Sequence, residues 1–245
     1  MNRARRKKGD QVQPIQRDLF PEFRRRLLAW YAKNGRDLPW RKISTSKYKL
    51  VVSEILLQRT RAQSVAGFFN TFFSLYPSWK RLAEAEEAEI GQVLRPLGLW
   101  KRRALTLKKL ASVIAKRNGR FPRDRAEVEK TLPGVGQYIA NAIVLFCHGQ
   151  PYPLLDSNMA RVLERVFGPR ELSDIRYDPY LQALAFEIVQ CKDAKELNWA
   201  ILDLAASECL PRKPNCTTCP LGSICLQSLQ KPEVVPILWT ENRPF

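Results

Sequence analysis

One short segment limits the possible folds of this chain more than any other, the stretch Leu132-Pro-Gly-Val-Gly136 and the apolar residues after it. Pro133 disfavours a helical conformation at the residue before it, so a preceding helix should end there. Gly134 and Gly136 allow a tight hairpin and a close approach by a ligand. A second amphipathic helix should start near Gln137, and the positive end of its dipole suits a phosphate. The segment therefore predicts two helices joined by a hairpin that can bind an anion.

A single carboxylate follows this hairpin. Asp156 lies twenty residues after Gly136, between Leu154-Leu155 and the predicted start of another helix. A phosphate-binding hairpin followed by one carboxylate suggests an enzyme that acts on a nucleic-acid backbone or on its sugar. The alternative is a Gly-Pro turn that joins two core helices, with Asp156 serving only as a helix N-cap.

Length, charge and apolar content narrow the class of protein. A chain of 245 residues fits one or two domains, and a hydrophobic content of 45% supports a sizeable core. Lys and Arg number 41 against 24 Asp and Glu, and this net charge of +17 indicates either a polyanionic partner or a solvated basic surface. No apolar run approaches the roughly 20 residues of a membrane span. The basic N-terminus lacks the apolar segment of a secretory signal, so we expect a cytoplasmic protein with reduced cysteines.

The pattern of apolar residues predicts an all-α fold, because they recur at helical spacing and no long period-2 alternation appears. Helices are predicted from Pro21 to about Gly35, at 47–57, 62–75 and 80–94, after the turn at Gly98, at about 125–131, from Gln137, and at 157–167, 178–190 and 194–206. On periodicity alone, Glu54 belongs to an exposed polar face. An ordinary position in the core is an equally good prediction for Leu99 and Trp100.

Four cysteines near the end of the chain have a spacing typical of metal ligands, Cys209-x6-Cys216-x2-Cys219-x5-Cys225. One C-x-x-C pair by itself suggests zinc, although a zinc ribbon has two such pairs and this segment has one. Four thiolates also suit a [4Fe–4S] cluster, so the residues alone leave both metals open. His148 is the only histidine, which argues against nucleophilic or metal-hydrolytic catalysis based on histidine.

Several segments together resemble the helix-hairpin-helix DNA glycosylases of the endonuclease III superfamily. They are Leu132 to Ala140 (LPGVG-x-x-x-A), Leu155 to Val162 (V/L-D-x-N-x-x-R-V) and Asp37 to Arg41 (D-L/F-P-W-R). The last segment resembles the adenine and mismatch-thymine branches. The 6-2-5 cysteine spacing matches the iron–sulfur loop of the same family, so the resemblance favours a [4Fe–4S] cluster over zinc. It implies a DNA glycosylase of base excision repair.

The resemblance also implies roles for individual residues. Asp156 would stabilise the sugar cation that forms as the N-glycosidic bond breaks, and Glu54 would assist the departing base or position the water. Gln58 and Leu99 would enter the base stack that a flipped nucleotide leaves. The residues that would contact DNA phosphates lie in the hairpin and the cysteine loop: Gly134, Val135, Gly136, Arg212 and Lys213.

Two features bear on the type of glycosylase. Tyr138 stands where strand-cleaving members carry lysine, and its hydroxyl can hydrogen-bond Asp156 but cannot form an imine, so we expect no lyase activity. Leu99 stands where adenine-type enzymes have an aromatic residue. The sequence ends about twenty residues after the cysteines, whereas adenine-type enzymes carry a further domain there. We expect thymine or uracil opposite guanine as the substrate. Adenine opposite 8-oxoguanine or guanine is the alternative, and a catalytically silent DNA-structure binder is the second alternative.

The resemblance further implies two helical lobes with the active site in the groove between them. A six-helix barrel with the hairpin would span 41–150, and an iron–sulfur lobe would combine 19–40 with 151–229. Residues 1–18 would form a disordered basic arm and 230–245 a tail of unknown role. We expect a monomer in the nucleoid that binds double-stranded DNA containing a mismatched or damaged base and contacts no membrane.

Overall fold

The computed structural model describes residues 14–230, and within this range the chain is all-helical, with no strand. The predicted all-α fold is therefore confirmed. None of the helices in these residues combines the length and the apolar character that crossing a membrane requires. Most of the predicted basic arm, residues 1–13, and nearly all of the tail, 231–245, lie outside the described range.

Twelve α-helices are found in the described residues, joined by loops and short 3-10 turns. In chain order they are α1 (Phe20–Asn34), α2 (Lys47–Leu57), α3 (Ala62–Leu75), α4 (Trp79–Glu84), α5 (Glu87–Leu94), α6 (Trp100–Lys116), α7 (Arg125–Thr131), α8 (Gln137–His148), α9 (Ser157–Phe167), α10 (Pro179–Ile188), α11 (Ala194–Ser207) and α12 (Leu226–Leu229).

The chain divides into two compact units. Unit 1 combines the described residues up to Gly35 with Leu155–Cys191 and the chain from Glu196 onward. Unit 2 consists of Arg36–Leu154 and the short piece Lys192–Lys195. Unit 2 therefore holds α2 to α8, while α1, α9, α10, α12 and most of α11 belong to unit 1.

Unit 2 is built around one large apolar core. Helix α6 packs against α4 and α5, and α2 packs against α3 and α8, while α7 pairs with α8 across the hairpin. Aromatic rings fill much of the space: the ring of Tyr48 lies 5.5 Å from that of Phe73 and 4.8 Å from that of Trp79. Burial of this much apolar surface is the main source of stability for such a bundle.

Unit 1 joins both ends of the described chain. Phe20 and Phe23 of α1 place their rings 5.7 and 5.4 Å from the ring of Phe167 at the end of α9. Helix α9 also packs against α10 and α12, so the first and last helices share its surface. A guanidinium from α1 fixes the end of α10, because Arg24 donates to the carbonyls of Ile188 and Glu187 at 2.9 and 2.8 Å.

The structure differs from the prediction at 80–94, where one predicted helix is two. Helix α4 ends before Ala85, which is extended, and α5 starts with a capping box between Glu86 and Glu89. The Lys108 ammonium on α6 donates to the carbonyls of Ala83 and Ala85 at 2.8 and 2.6 Å. These carbonyls are satisfied by a side chain from another helix, so the break is stable. The predicted helix at 80–94 therefore corresponds to two of the helices of unit 2.

Candidate active site

The hairpin between α7 and α8 needs its two glycines for different reasons. Gly134 has φ +72°, and a Cβ there would lie 2.6 Å from Cγ2 of Thr106 on α6. Gly136 has ordinary extended geometry, and a Cβ there would meet nothing within 4 Å. Gly134 therefore serves the turn and its docking on α6, whereas Gly136 leaves open space at the start of α8. The N-cap residue Gly136 has no side chain that could cap this helix end, which suits an external anion.

A buried amide ties the hairpin helices to the segment that leads to Asp156. Asn141 on α8 is 5% exposed, accepts from Nε of Arg125 at 2.9 Å and donates to the carbonyl of Pro153 at 2.8 Å. Arg125 lies at the start of α7 and also pairs with Glu129 at 2.6 Å. The sequence analysis missed Asn141, because a polar residue at a core position of α8 carries no motif of its own.

Glu54 is a buried carboxylate, so the exposed position that periodicity favours is wrong. Glu54 is 3% exposed and lies in the middle of α2, whose residues from Val51 to Leu56 are all buried. The hydroxyl of Tyr138 on α8 donates to Oε2 of Glu54 at 3.0 Å. A buried carboxylate requires such partners, because burial of an uncompensated charge is costly. The packing of α2 on α8 thus brings two predicted site residues into contact.

Asp156 is the N-cap of α9, and its half-buried carboxylate is held by three donors. Oδ1 accepts from the backbone N–H groups of Asn158 and Met159 at 2.9 and 2.8 Å, and Oδ2 accepts from the Asn158 side-chain amide at 2.7 Å. The simple capping role that the sequence allowed is therefore present. It does not conflict with chemistry, because these bonds fix the direction of the carboxylate and leave further acceptor capacity on each oxygen.

A chain of hydrogen bonds within unit 1 links Asp156 to the cysteine loop. The Asn158 side-chain oxygen accepts from both terminal nitrogens of Arg161 at 3.2 Å. Arg161 also donates to the carbonyls of Cys209 and Ala205, at 2.9 Å in each case. The orientation of Asp156 thus depends on a loop whose cysteines lie more than forty positions further along the chain. The predicted bond between Tyr138 and Asp156 stays a prediction.

The two residues predicted to enter the base stack have exposed side chains on neighbouring loops of unit 2. Gln58 follows the last residue of α2, and Leu99 precedes the first residue of α6. Leu99 is 50% exposed and has φ +49°, so the expectation of an ordinary core residue is wrong for it. An exposed apolar side chain on a left-handed backbone is unusual and points to a functional constraint.

Four cysteines line one cavity in unit 1. The residues that line it include Cys209, Cys216, Cys219 and Cys225. Burial raises the pKa of Cys219 to about 12, and the three neighbouring thiols act in the same direction. A bound cation would favour the thiolate form of Cys219, because it would offset this effect of burial and of the neighbouring thiols.

The two candidate metal centres would need different arrangements of these thiols. Among residues 14–230, no three His, Cys, Asp or Glu side chains are placed to hold a metal ion. Zinc would need its ligands to converge on one point. In a cubane cluster each thiolate binds a different iron, so the sulfurs surround a volume. Nη1 of Arg165 lies 3.2 Å from Sγ of Cys209 and donates to the carbonyl of Leu210 at 2.8 Å. Arg212 and Lys213 are exposed on the same loop.

Comparisons with known proteins identify a family and several similar proteins. Residues 52–178 match the family model of the HhH-GPD superfamily of base excision DNA repair proteins. The chain is 44% identical over 210 residues to a thymine-DNA glycosylase of Aeropyrum pernix, covering 83% of this chain and 93% of the relative. It is 39% identical over 221 residues to a thymine/uracil-DNA glycosylase of Pyrobaculum aerophilum, covering 88% and 95%.

More distant similarities extend to an adenine-type enzyme and to a solved structure. The chain is 33% identical over 211 residues to the adenine DNA glycosylase of Homo sapiens, covering 83% of this chain and 39% of that protein. The structure of a thermostable thymine-DNA glycosylase superposes with a TM-score of 0.80 at 30% identity, covering 88% of this chain and 99% of the other.

The two hairpin glycines should respond differently to alanine. We expect Gly134→Ala to lower the free energy of unfolding by roughly 1–3 kcal/mol, because of its positive φ and the contact with Thr106. Gly136→Ala is the matched control and should cost less than about 1 kcal/mol. Urea unfolding followed by circular dichroism measures both. Equal losses would show that the hairpin does not depend on the left-handed turn.

Proposed function

Since the chain belongs to the HhH-GPD superfamily of base excision DNA repair proteins, we propose that it is a DNA glycosylase that hydrolyses the N-glycosidic bond of thymine or uracil mispaired with guanine. The observation that carries the proposal is the similarity, over most of both chains, to relatives named for thymine and uracil. Identity to these relatives is 44% and 39%, against 33% for the human adenine-type relative. Leu99 supports the same assignment, because the adenine type has an aromatic residue there.

We assign Asp156 to the sugar. Departure of a base from deoxyribose leaves positive charge on the ring, as in glycoside hydrolysis, and an oriented carboxylate stabilises that charge. The three hydrogen bonds to Asp156 fix its direction before the substrate binds. Pre-orientation of this kind lowers the barrier, because no reorganisation is required when charge develops.

We assign Glu54 to the departing base or to the attacking water. Thymine leaves as an anion at N1, so its carbonyl oxygens need hydrogen-bond donors, and a protonated Glu54 is one such donor. The Tyr138 hydroxyl, 3.0 Å from Oε2 of Glu54, orients this carboxyl. Because Tyr138 has no amine, the proposal includes no imine with the sugar, and the abasic strand is left uncut.

We propose duplex DNA with a mispaired base as the partner of a monomeric protein. The start of α8 and the exposed Arg212 and Lys213 supply donors for phosphates, which position a duplex without reading its sequence. Gln58 and Leu99 are exposed and fill the space of the flipped nucleotide. A wobble pair helps, because a base in a mispair is extruded at lower cost than one in a matched pair.

The cysteine cavity is proposed to hold a [4Fe–4S] cluster. The fit rests on the chemistry of the donor set, because four thiols line one cavity and a cubane cluster takes four thiolate ligands. A bound cluster supplies strong cross-links between distant parts of the loop, and its proposed part is structural. The loop then presents Arg212 and Lys213 to phosphates, and the carbonyl of Cys209 holds Arg161.

Asp156→Asn should abolish base release while DNA binding stays near that of the unmodified protein. Asparagine is an equally good N-cap, so the helix should keep its stability while the charge opposite the sugar is lost. Asp124→Asn applies the same change at the N-cap of α7 and should leave the rate of release unchanged. Single-turnover rates and a binding titration measure both. A near-native rate for Asp156→Asn would leave Asp156 as a helix cap alone.

Protein purified under anaerobic conditions should be brown and contain about four irons per chain. Iron and zinc determination together with an absorbance spectrum tests this. Cys219→Ser should lower the iron content, whereas Cys147→Ser, at a buried cysteine in unit 2, should leave it unchanged. Colourless protein with one zinc per chain would overturn the cluster assignment.

Duplexes that differ in a single pair test the substrate. We expect single-turnover release of thymine and uracil opposite guanine to be at least about tenfold faster than release of adenine opposite 8-oxoguanine. Strand breaks at the product site should appear only after alkali. Faster release of adenine would favour the adenine-type alternative, and binding without release from any duplex would favour the silent DNA binder.

A further inference from the structure

We propose that Arg103 is a positioning residue that joins the loops of Gln58 and Leu99, so that the two side chains enter the DNA as one unit. The inference rests on the proposed function, which places both side chains in the vacated base stack. All of the residues involved lie in unit 2. Arg103 belongs to none of the motifs, and the sequence does not distinguish it from its basic neighbours in the run Lys101-Arg102-Arg103.

The guanidinium of Arg103 binds both loops at once. Arg103 is 3% exposed, and its Nη1 donates to the carbonyls of Leu97 and Gly98 at 2.8 and 2.6 Å. Its Nη2 donates to the carbonyl of Gln58 and to Oγ1 of Thr60. The four N–H bonds of the two terminal nitrogens thus divide evenly, two to each loop.

A second contact closes the connection between the loops. The hydroxyl of Thr60 also donates to the carbonyl of Leu97 at 3.3 Å, so the loops are joined directly as well as through Arg103. The set of bonds involves backbone carbonyls, which leaves the side chains of Gln58 and Leu99 exposed. Arg103 therefore fixes the base from which each exposed side chain projects.

The clamped backbone is strained on both sides. Arg59 has φ +55° and lies between the two residues that Nη2 holds, while Leu99 has φ +49° and follows the two residues that Nη1 holds. Non-glycine residues keep such conformations only where their surroundings impose them. Arg103 is the shared contact that does so at both positions.

The clamp suits residues that must displace a base. Opening a base pair and separating stacked bases costs free energy. If the loops that carry the inserted side chains moved more easily than the DNA opens, no base would be extruded. Two loops bonded to one guanidinium keep their spacing while their side chains enter the base stack. Lysine cannot replace the clamp, because an ammonium offers three donors from one point and lacks the planar fork. The clamp should matter for bases that are paired and stacked, and little for a base that is already unpaired.

Arg103→Lys tests the inference, with Arg102→Lys as the matched control. Arg102 is the exposed neighbour on the same helix, so the control applies the same chemical change outside the clamp. Single-turnover release is measured from a thymine–guanine duplex and from a duplex whose target thymine faces an abasic gap. We expect Arg103→Lys to slow release from the mispair at least about tenfold and from the unpaired thymine less than about threefold. Arg102→Lys should change neither rate.

An equal loss on both duplexes would reduce Arg103 to a structural residue and overturn the proposal. If Arg103→Lys does not fold, Thr60→Val removes one acceptor of the clamp, and Thr71→Val on an exposed face of α3 is its control. Thr60→Val should give the same selective loss at about threefold on the mispair. Equal rates for Thr60→Val and Thr71→Val would also overturn the clamp.

A second readout separates this inference from the proposed function. The fluorescence of 2-aminopurine placed beside the mispaired base reports opening of the stack without any chemistry. We expect binding of the unmodified protein to increase the 2-aminopurine fluorescence, and the increase with Arg103→Lys to be several-fold smaller. If the unmodified protein releases no base but shows this difference, the glycosylase assignment fails and the clamp stands. No rise with the unmodified protein, or equal rises for both proteins, would overturn the clamp.

Discussion

The packing of α2 against α8 is the contact on which the other features of unit 2 depend. It buries Glu54 in the middle of α2 and supplies the Tyr138 hydroxyl as its partner. Both helices also adjoin segments with proposed roles: α8 begins just after Gly136 of the hairpin, and α2 ends just before Gln58. Because interiors are close-packed and bonded polar groups resist displacement, one helix pair fixes a carboxylate, a helix end and an exposed loop together.

Arginine side chains donate hydrogen bonds to many backbone carbonyls that helices leave without a partner. Arg161 and Arg165 donate to backbone carbonyls around the cysteine loop, Arg24 does so at the end of α10, and Arg103 does so at two loops of unit 2. Buried or half-buried carbonyls outside helices need such donors. The net charge of +17 therefore overstates the cations available to a polyanion, since several of them are committed to the backbone.

The parts that the sequence predicted well are those that local chemistry determines. Pro133 and Gly134 specify the hairpin, and Asp156 before α9 specifies a cap that forms as the residue types require. Long-range partners determine what periodicity missed. Ala85 breaks a helix because Lys108 binds the carbonyls there, and Arg103 is buried because two loops offer it four acceptors. Neither partnership leaves a pattern in the neighbouring residues.

The chemistry of base release by itself does not separate the two branches. In the proposed roles, a protonated Glu54 would donate to a carbonyl of departing thymine or to N7 of adenine, and Asp156 would stabilise the same sugar charge in both reactions. Discrimination between thymine and adenine substrates must therefore occur before bond cleavage, when the base is extruded from the stack. That step depends on the pair that is opened and on the residues that replace it. Gln58, Leu99 and the buried Arg103 behind them are the residues through which this chain would distinguish one mispair from another.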